Sequence, residues 1–230
     1  MHYSLFSVIY DVDRPFYFRQ VSKVFITAFP FFNRAILDAT ITESSARPKK
    51  TLVVPEKDRQ ETKHSSSHTL RKSVDPDAEW LIKGGKYYFG YKSFVLADAN
   101  KGFISKVHVT PANQGKSPEL PNMMEDVETK RLMTDKAYDS EKNRQFLKSR
   151  SIKDGIMYRA RKIHPLRPSQ KKLNRLISQK RFKIEQGFGT LKRRLRFFRA
   201  SYTMTRIKVE AQLRLKSICF NLLKAVNMVR

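Results

Sequence analysis

Three carboxylates stand apart by position. Asp38 lies in the short β-prone run Ala35-Ile36-Leu37-Asp38-Ala39-Thr40-Ile41-Thr42, and Asp135 closes another, Arg131-Leu132-Met133-Thr134-Asp135. Glu185 interrupts a basic helical stretch: residues 151–230 hold 22 Lys and Arg against three acids, Asp154, Glu185 and Glu210. Solubility does not call for an acid there. Carboxylates brought from separate segments to one sheet edge are what hard, oxygen-seeking cations such as Mg2+ require. Two such ions about 4 Å apart can activate an attacking oxygen and stabilise a leaving one in phosphodiester chemistry.

The helix around Glu185 can be laid out at 100° per residue. Arg181 then falls about −40° and Lys192 about −20° from Glu185, on one narrow stripe, with the apolar Ile177, Ile184, Phe188 and Leu195 beside it. Such a helix packs its apolar side on a sheet and presents one acid and two bases at the margin of that contact, the acid for metal and the bases for phosphates.

Each acid also has a plainer reading. An aspartate in a β-rich run is most often an edge or turn residue. Asp135 could cap a helix starting at Lys136, and Glu185 could pair with Arg181 one turn earlier. Asp75, Asp77 and Asp98 are accounted for by turn chemistry. His64 and His68 fall in a serine-rich segment and read as solvated. Trp80 and the tyrosines at 87, 88 and 91 read as half-buried strand aromatics.

The elements that must position the acids can be traced along the chain. Residues 1–33 are aromatic-rich, without clear periodicity, and residues 43–80 form a long polar excursion closed by Asp75-Pro76-Asp77. Two alternating runs, Lys86–Leu96 and Phe103–Val109, joined by Asp98-Ala99-Asn100-Lys101-Gly102, predict a hairpin. A helix follows over 117–128, with Ser117 as N-cap and Pro118 at N1. Then come the strand ending at Asp135, a helix over 139–150, a buried strand at Gly155–Tyr158, and two helices over 169–199 and 204–228. Leu173, Ile177, Ile184, Phe188, Leu191, Leu195 and Phe198 mark the buried side of the first. Strands alternating with helices predict an α/β domain with helices on a mixed sheet.

Composition narrows the function. The 230 residues carry 47 Lys and Arg against 21 Asp and Glu, a net charge of +26, which makes a polyanion such as nucleic acid the leading partner class. A single cysteine, Cys219, excludes a disulfide framework and a thiolate zinc site. The apolar run at 24–32 is too short to span a bilayer and holds Pro30, so a cytosolic protein is expected.

Five blocks occur in order: Leu37-Asp38-Ala39-Thr40, Tyr88-Phe89-Gly90-Tyr91-Lys92, Thr110-Pro111-Ala112-Asn113, Thr134-Asp135-Lys136-Ala137-Tyr138, and Arg181 followed by Glu185, Gly187-Phe188-Gly189 and Lys192. Together they resemble the DDE transposases of bacterial insertion sequences, family five and the related family four, over roughly residues 35–225. The resemblance implies a ribonuclease-H-like fold with flanking helices, a catalytic domain over 35–230 and a divergent or truncated segment over 1–34. It implies that Asp38, Asp135 and Glu185 bind two Mg2+ ions, for which Mn2+ can substitute. It implies DNA cleavage and strand transfer on element ends and target, by a possible homodimer in the bacterial cytoplasm, associated with the nucleoid. Arg181, Lys192, Lys136, Asn113, Arg193 and Arg194 are the expected DNA contacts. Two departures stand out. Ser178 occupies a position where the family signature has tyrosine, and only 37 residues precede Asp38, so the resemblance implies a copy lacking the N-terminal DNA-binding region. The alternative is a non-catalytic basic nucleic-acid-binding protein. The two readings differ on whether the three carboxylates approach one point.

Overall fold

A computed structural model describes residues 33–47, 75–161, 165–197 and 205–229. The N-terminal segment up to residue 32, most of the polar excursion with His64 and His68, and Phe198 lie outside the described residues.

Strand β1 (Ala35–Glu43) pairs antiparallel with β3 (Lys86–Asp98), Ala35 opposite Asp98 and Glu43 opposite Gly90. β3 also pairs antiparallel with β2 (Glu79–Lys83) and with β4 (Ile104–Pro111). Next to β1 lies β5 (Arg131–Thr134), parallel to it, and β6 (Lys153–Ile156) runs parallel to β5. Four strands paired antiparallel, β1 to β4, and two, β5 and β6, parallel to β1 make a mixed six-stranded sheet, as the alternation of strands and helices predicts. The expected hairpin is present: the Asp98 carboxylate accepts from the backbone N–H of Asn100 (3.1 Å) and of Lys101, closing the turn.

Both faces of the sheet are covered, so its central strands are apolar on both sides. Ile36, Tyr91, Val95, Val107 and Val109 pack against helices α3 (Pro168–Arg193) and α4 (Arg206–Val229). Leu37, Phe94, Leu96 and Leu132 pack against α1 (Glu119–Met124) and α2 (Glu141–Ser149) on the other face. Burying each such Leu, Val or Phe contributes about 1.5–3 kcal/mol. Gly90 is required where β1 leaves the sheet. Its φ is +156°, and a Cβ there would meet the Thr42 carbonyl oxygen at 2.4 Å.

Several local expectations shift. Helix α1 is shorter than 117–128, starting at Glu119 with Pro118 as N-cap, while the Ser117 hydroxyl is turned to Ser140 (3.1 Å). β6 ends at Ile156, because the Asp154 carboxylate bonds the Ile156 N–H (2.7 Å) and the chain then turns to meet Asn174 of α3. Leu173 is 37% exposed, whereas Ile177, Ile184, Phe188 and Leu191 are buried. The turn at Asp75 exists, with the Ala78 N–H bonded to the Asp75 carbonyl, but turn chemistry is not the whole account. Its carboxylate is fully buried and accepts from the Ser44 and Tyr91 hydroxyls, tying the start of β2 to the centre of the sheet.

Polar side chains fix α4 on β4. The Asn221 amide bonds both backbone groups of Ile104 (2.9 and 2.7 Å). Glu210 accepts from the Val109 N–H (3.3 Å), lies 3.1 Å from His108 Nδ1 and receives Arg214 Nη2 at 2.5 Å. Burial pushes the Glu210 carboxyl up, but the bonds from His108 and Arg214 and the charge of Arg214 outweigh it and bring the group from 4.5 down to about 2. A depressed carboxylate contributes stability that is fully present above its unfolded value and lost as pH falls through the folded one. Glu210→Gln is therefore expected to cost about 2 kcal/mol at pH 7, with the difference from wild type shrinking toward zero as pH falls from about 5 to about 2. Urea unfolding across that range checks it, and a pH-independent difference would contradict the assignment.

Candidate active site

Strand alternation decides where the acids face. Ile36 of β1 and Met133 of β5 point toward α3, so Asp38 and Asp135, two residues further along each strand, point the same way. The register pairs Leu37 with Thr134, which puts Asp38 and Asp135 one step beyond the last matched pair, side by side at one edge of the sheet.

Two adjacent carboxylates repel unless a positive charge lies between them. Lys116 supplies it: its ammonium is 2.9 Å from Asp38 Oδ1 and 2.8 Å from Asp135 Oδ2. The Thr110-Pro111-Ala112-Asn113 block delivers this lysine. Ala112 is buried and bonds the Gly90 carbonyl (3.1 Å), and the Gln114 N–H bonds the Pro111 carbonyl (3.2 Å), so the chain turns sharply off β4. Burial disfavours the Lys116 charge, but the two aspartates outweigh that and raise its pKa above 10.5. The cation position between Asp38 and Asp135 is filled by this ammonium.

Asp38 is 6% exposed and makes two further bonds, accepting the Ala39 N–H (2.7 Å) and Arg181 Nη2 (2.5 Å). Burial pushes its carboxyl up, while Lys116, Arg181 and the bonds it accepts pull it further down, below the ordinary 3.8. Asp135 caps the short 3-10 helix Lys136–Tyr138, its Oδ1 accepting the Ala137 N–H at 2.8 Å. Capping and the edge position coexist, because one oxygen serves each. Tyr138 is fully buried under the pair, with no partner for its hydroxyl among the described residues. Burial first, and then the charges of Asp38 and Asp135, hold that hydroxyl well above its usual pKa.

Helix α3 brings Arg181 and Glu185 to this edge, with different outcomes. Arg181 is buried and joins the helix to Asp38. Glu185 has a 55% exposed side chain, 3.8 Å from Arg181 Nη2. Its carboxylate is thus no further from that of Asp38 than the two Arg181 distances laid end to end. Among the described residues no three His, Cys, Asp or Glu side chains gather closely enough to form a ready-made metal cage. Two of the three acids converge on a cation position, and the third stands one residue off on the solvent side of Arg181.

The remaining expected residues are not among the groups that bond the two aspartate carboxylates. Lys136 and Asn113 are exposed on the flanking turns, and Arg193 and Arg194 are exposed at the end of α3. Lys192 is half-buried. Burial lowers its pKa, as does the nearby charge of Lys83, while Glu43 opposes, which places it toward the end of β1 rather than beside the aspartates. Lys116 was not singled out by sequence reasoning. Its signal was the Thr110–Asn113 block itself, from which only Asn113 is expected, as a DNA contact.

Comparison with known proteins matches residues 35–222 to the family described as transposase DDE domain. The transposase for insertion sequence element IS1106 of Neisseria meningitidis serogroup B is 40% identical over 194 residues, 84% of this chain. The chain spans 65% of that relative's length. Among solved structures, the catalytic core domain of BIV integrase matches 66% of this chain and 96% of its own at 10% identity, with a TM-score of 0.29.

The ion pair that docks α3 sets a measurable expectation. Arg181→Gln leaves Asp38 buried with one cation fewer, and is expected to cost about 3 kcal/mol at neutral pH. It should also move the Asp38 carboxyl titration upward in carbon-13 NMR. Because the Asp38 pKa is depressed, the stability difference should narrow as pH falls below roughly 4. An unchanged Asp38 titration would contradict the contact.

Proposed function

We propose that this chain, which belongs to the transposase DDE domain family, is the transposase of an insertion sequence, cutting DNA strands and joining the freed end to a target. The observation that carries the reading is the convergence of Asp38 and Asp135 on one cation position, with α3 pinned there by Arg181.

In this reading Asp38, Asp135 and Glu185 hold divalent metal, two Mg2+ ions with Mn2+ able to substitute. The donor set fits: all ligands are hard carboxylate oxygens, and both aspartates already grip a cation from opposite sides. When bound, such ions supply Lewis acidity, lowering the pKa of an attacking water or 3′-hydroxyl and neutralising the leaving oxygen.

The chain's own residues do the rest. The Ala137 N–H aims the Asp135 carboxylate, and Arg181 and the Ala39 N–H aim that of Asp38, so neither needs to reorganise. Glu185 reaches the point by turning an exposed side chain over Arg181. Lys116, displaced from between the aspartates, keeps three donors for a phosphate oxygen beside the scissile bond. Lys136 and Asn113, on the turns beside the aspartates, are further phosphate contacts there, while Lys192, toward the end of β1, and Arg193 and Arg194, at the end of α3, hold phosphates further away; such contacts position DNA without reading its sequence. The proposal extends to DNA element ends and target as partners, to a homodimer that brings two ends together, and to a cytoplasmic, nucleoid-associated location. Among the described residues no helix is long and apolar enough to cross a membrane.

The test is Mg2+- or Mn2+-dependent nicking and strand joining on DNA bearing the element's ends. Asp38→Asn, Asp135→Asn and Glu185→Gln should each lower the rate by roughly a hundredfold or more, since several kcal/mol of charge stabilisation depend on the bound metal. Activity equal to wild type in any of the three would remove that residue from the mechanism.

A further inference from the structure

We infer that the sheet edge opposite the carboxylates is a second track for the phosphate backbone of duplex DNA. Two grooves meet there. One, of about 740 Å3, lies between α3, α4 and the β3–β4 turn and is lined by Lys101, Lys183, Arg193, Arg194 and Lys224. The other, of about 430 Å3, lies at the starts of β1, β5 and β6 and is lined by Arg34, Lys130, Arg131 and Lys153. Asn100 lines both, so they adjoin. The turn joins them by bonding, since the Ala99 N–H donates to the Arg34 carbonyl (2.9 Å) and the Lys183 ammonium donates to the Asn100 carbonyl.

None of these nine cations forms a salt bridge with a described residue, and no acid lines either groove. All but the half-buried Lys224 are exposed. Folding does not need such a cluster, because like charges brought together repel. The track is also separate from the aspartate edge. Arg34 precedes Asp38 by four residues along β1, about 13 Å. The α3 residues that line the larger groove lie between roughly 40° and 200° around the helix from Glu185.

Two observations favour a duplex backbone as the occupant. The one aromatic side chain lining the grooves, Phe220, is buried, so unpaired bases find no stacking surface. Gly187 and Gly189 line the larger groove in the C-terminal third of a 26-residue helix, still inside it, where each costs about 0.5–1 kcal/mol relative to alanine. Packing does not demand them: a Cβ at Gly187 would meet Phe220 at an ordinary 3.6 Å, and one at Gly189 would meet only the flexible Arg193 side chain, at 3.3 Å. Their absence of side chain deepens the groove where a phosphate strand would lie.

The experiment measures binding of the full chain to a labelled duplex of arbitrary sequence, without metal, over a salt series. It needs no catalysis, so failure of the cleavage reading and failure of this one are distinguishable. Lys101→Gln, Lys183→Gln and Lys224→Gln combined, and separately Arg34→Gln, Lys130→Gln and Lys153→Gln combined, should each weaken binding roughly tenfold or more. Each should also reduce the slope of log affinity against log salt by about 2 to 3. An equal charge change on α2 and at the start of α3, Lys142→Gln, Lys148→Gln and Lys171→Gln, should leave the slope near wild type, and thermal melts confirm that all variants are folded. Equal slopes in the track and control variants would overturn the proposal, as would single-stranded RNA competing as well as duplex DNA.

Discussion

Two carboxylates side by side on neighbouring parallel strands, Asp38 within β1 and Asp135 just past the end of β5, cannot stay ionised without a cation between or against them. That constraint organises this molecule. The β1–β5 register places Asp38 beside Asp135, and the sheet's alternation aims both at α3. Lys116 then bridges the pair, Arg181 holds the outer oxygen of Asp38, and the capping bond from Ala137 holds Asp135. Each compensation comes from a different segment: the turn after β4, the middle of α3 and the 3-10 helix. Their meeting point ties the two layers of helices to one edge of the sheet.

Such an arrangement is poorly explained as a device for stability. Buried ion pairs roughly break even against apolar packing of the same shape, and both faces of the sheet already bury continuous apolar surface. What the charges add is orientation. The carboxylates are held by bonds that do not depend on water, and Arg181 leaves its buried Nε without a partner among the described residues, a cost consistent with placement taking precedence over local economy. Glu185 is the exception, exposed and 3.8 Å from the Arg181 guanidinium. The site is thus rigid where two strands meet and adjustable where the helix joins.

The larger features were legible because they rest on short-range chemistry. Alternation and a glycine-ended polar turn mark the β3–β4 hairpin, and apolar spacing marks α3, whose Ile177, Ile184 and Phe188 are buried as that spacing requires. Asp38 and Asp135 could be picked out as acids at strand positions. Less legible were contacts whose partners lie far apart in the chain. Lys116 reaches Asp38 across 78 residues, and Asp75 is buried under Ser44 and Tyr91 by a fold that turn propensity cannot foresee. The helical layout put Arg181, Glu185 and Lys192 on one stripe; Arg181 and Glu185 do meet, while Lys192 lies toward the end of β1. Angle alone could not separate a buried arginine from an exposed glutamate 3.8 Å away, since that depends on the depth at which α3 meets β1.

The same strands separate two kinds of charge. Carboxylates and their counter-ions gather at one edge, and at the other lie nine lysines and arginines that form no salt bridge with a described residue. The central claim concerns the first edge: that the place held by the Lys116 ammonium is a metal position. Crystals of the chain grown with Mn2+ and measured for its anomalous scattering test this directly. The account predicts a peak bound by Asp38 and Asp135, with Lys116 turned away from between them. No peak there at saturating Mn2+, with Lys116 still bridging the two aspartates, would contradict it.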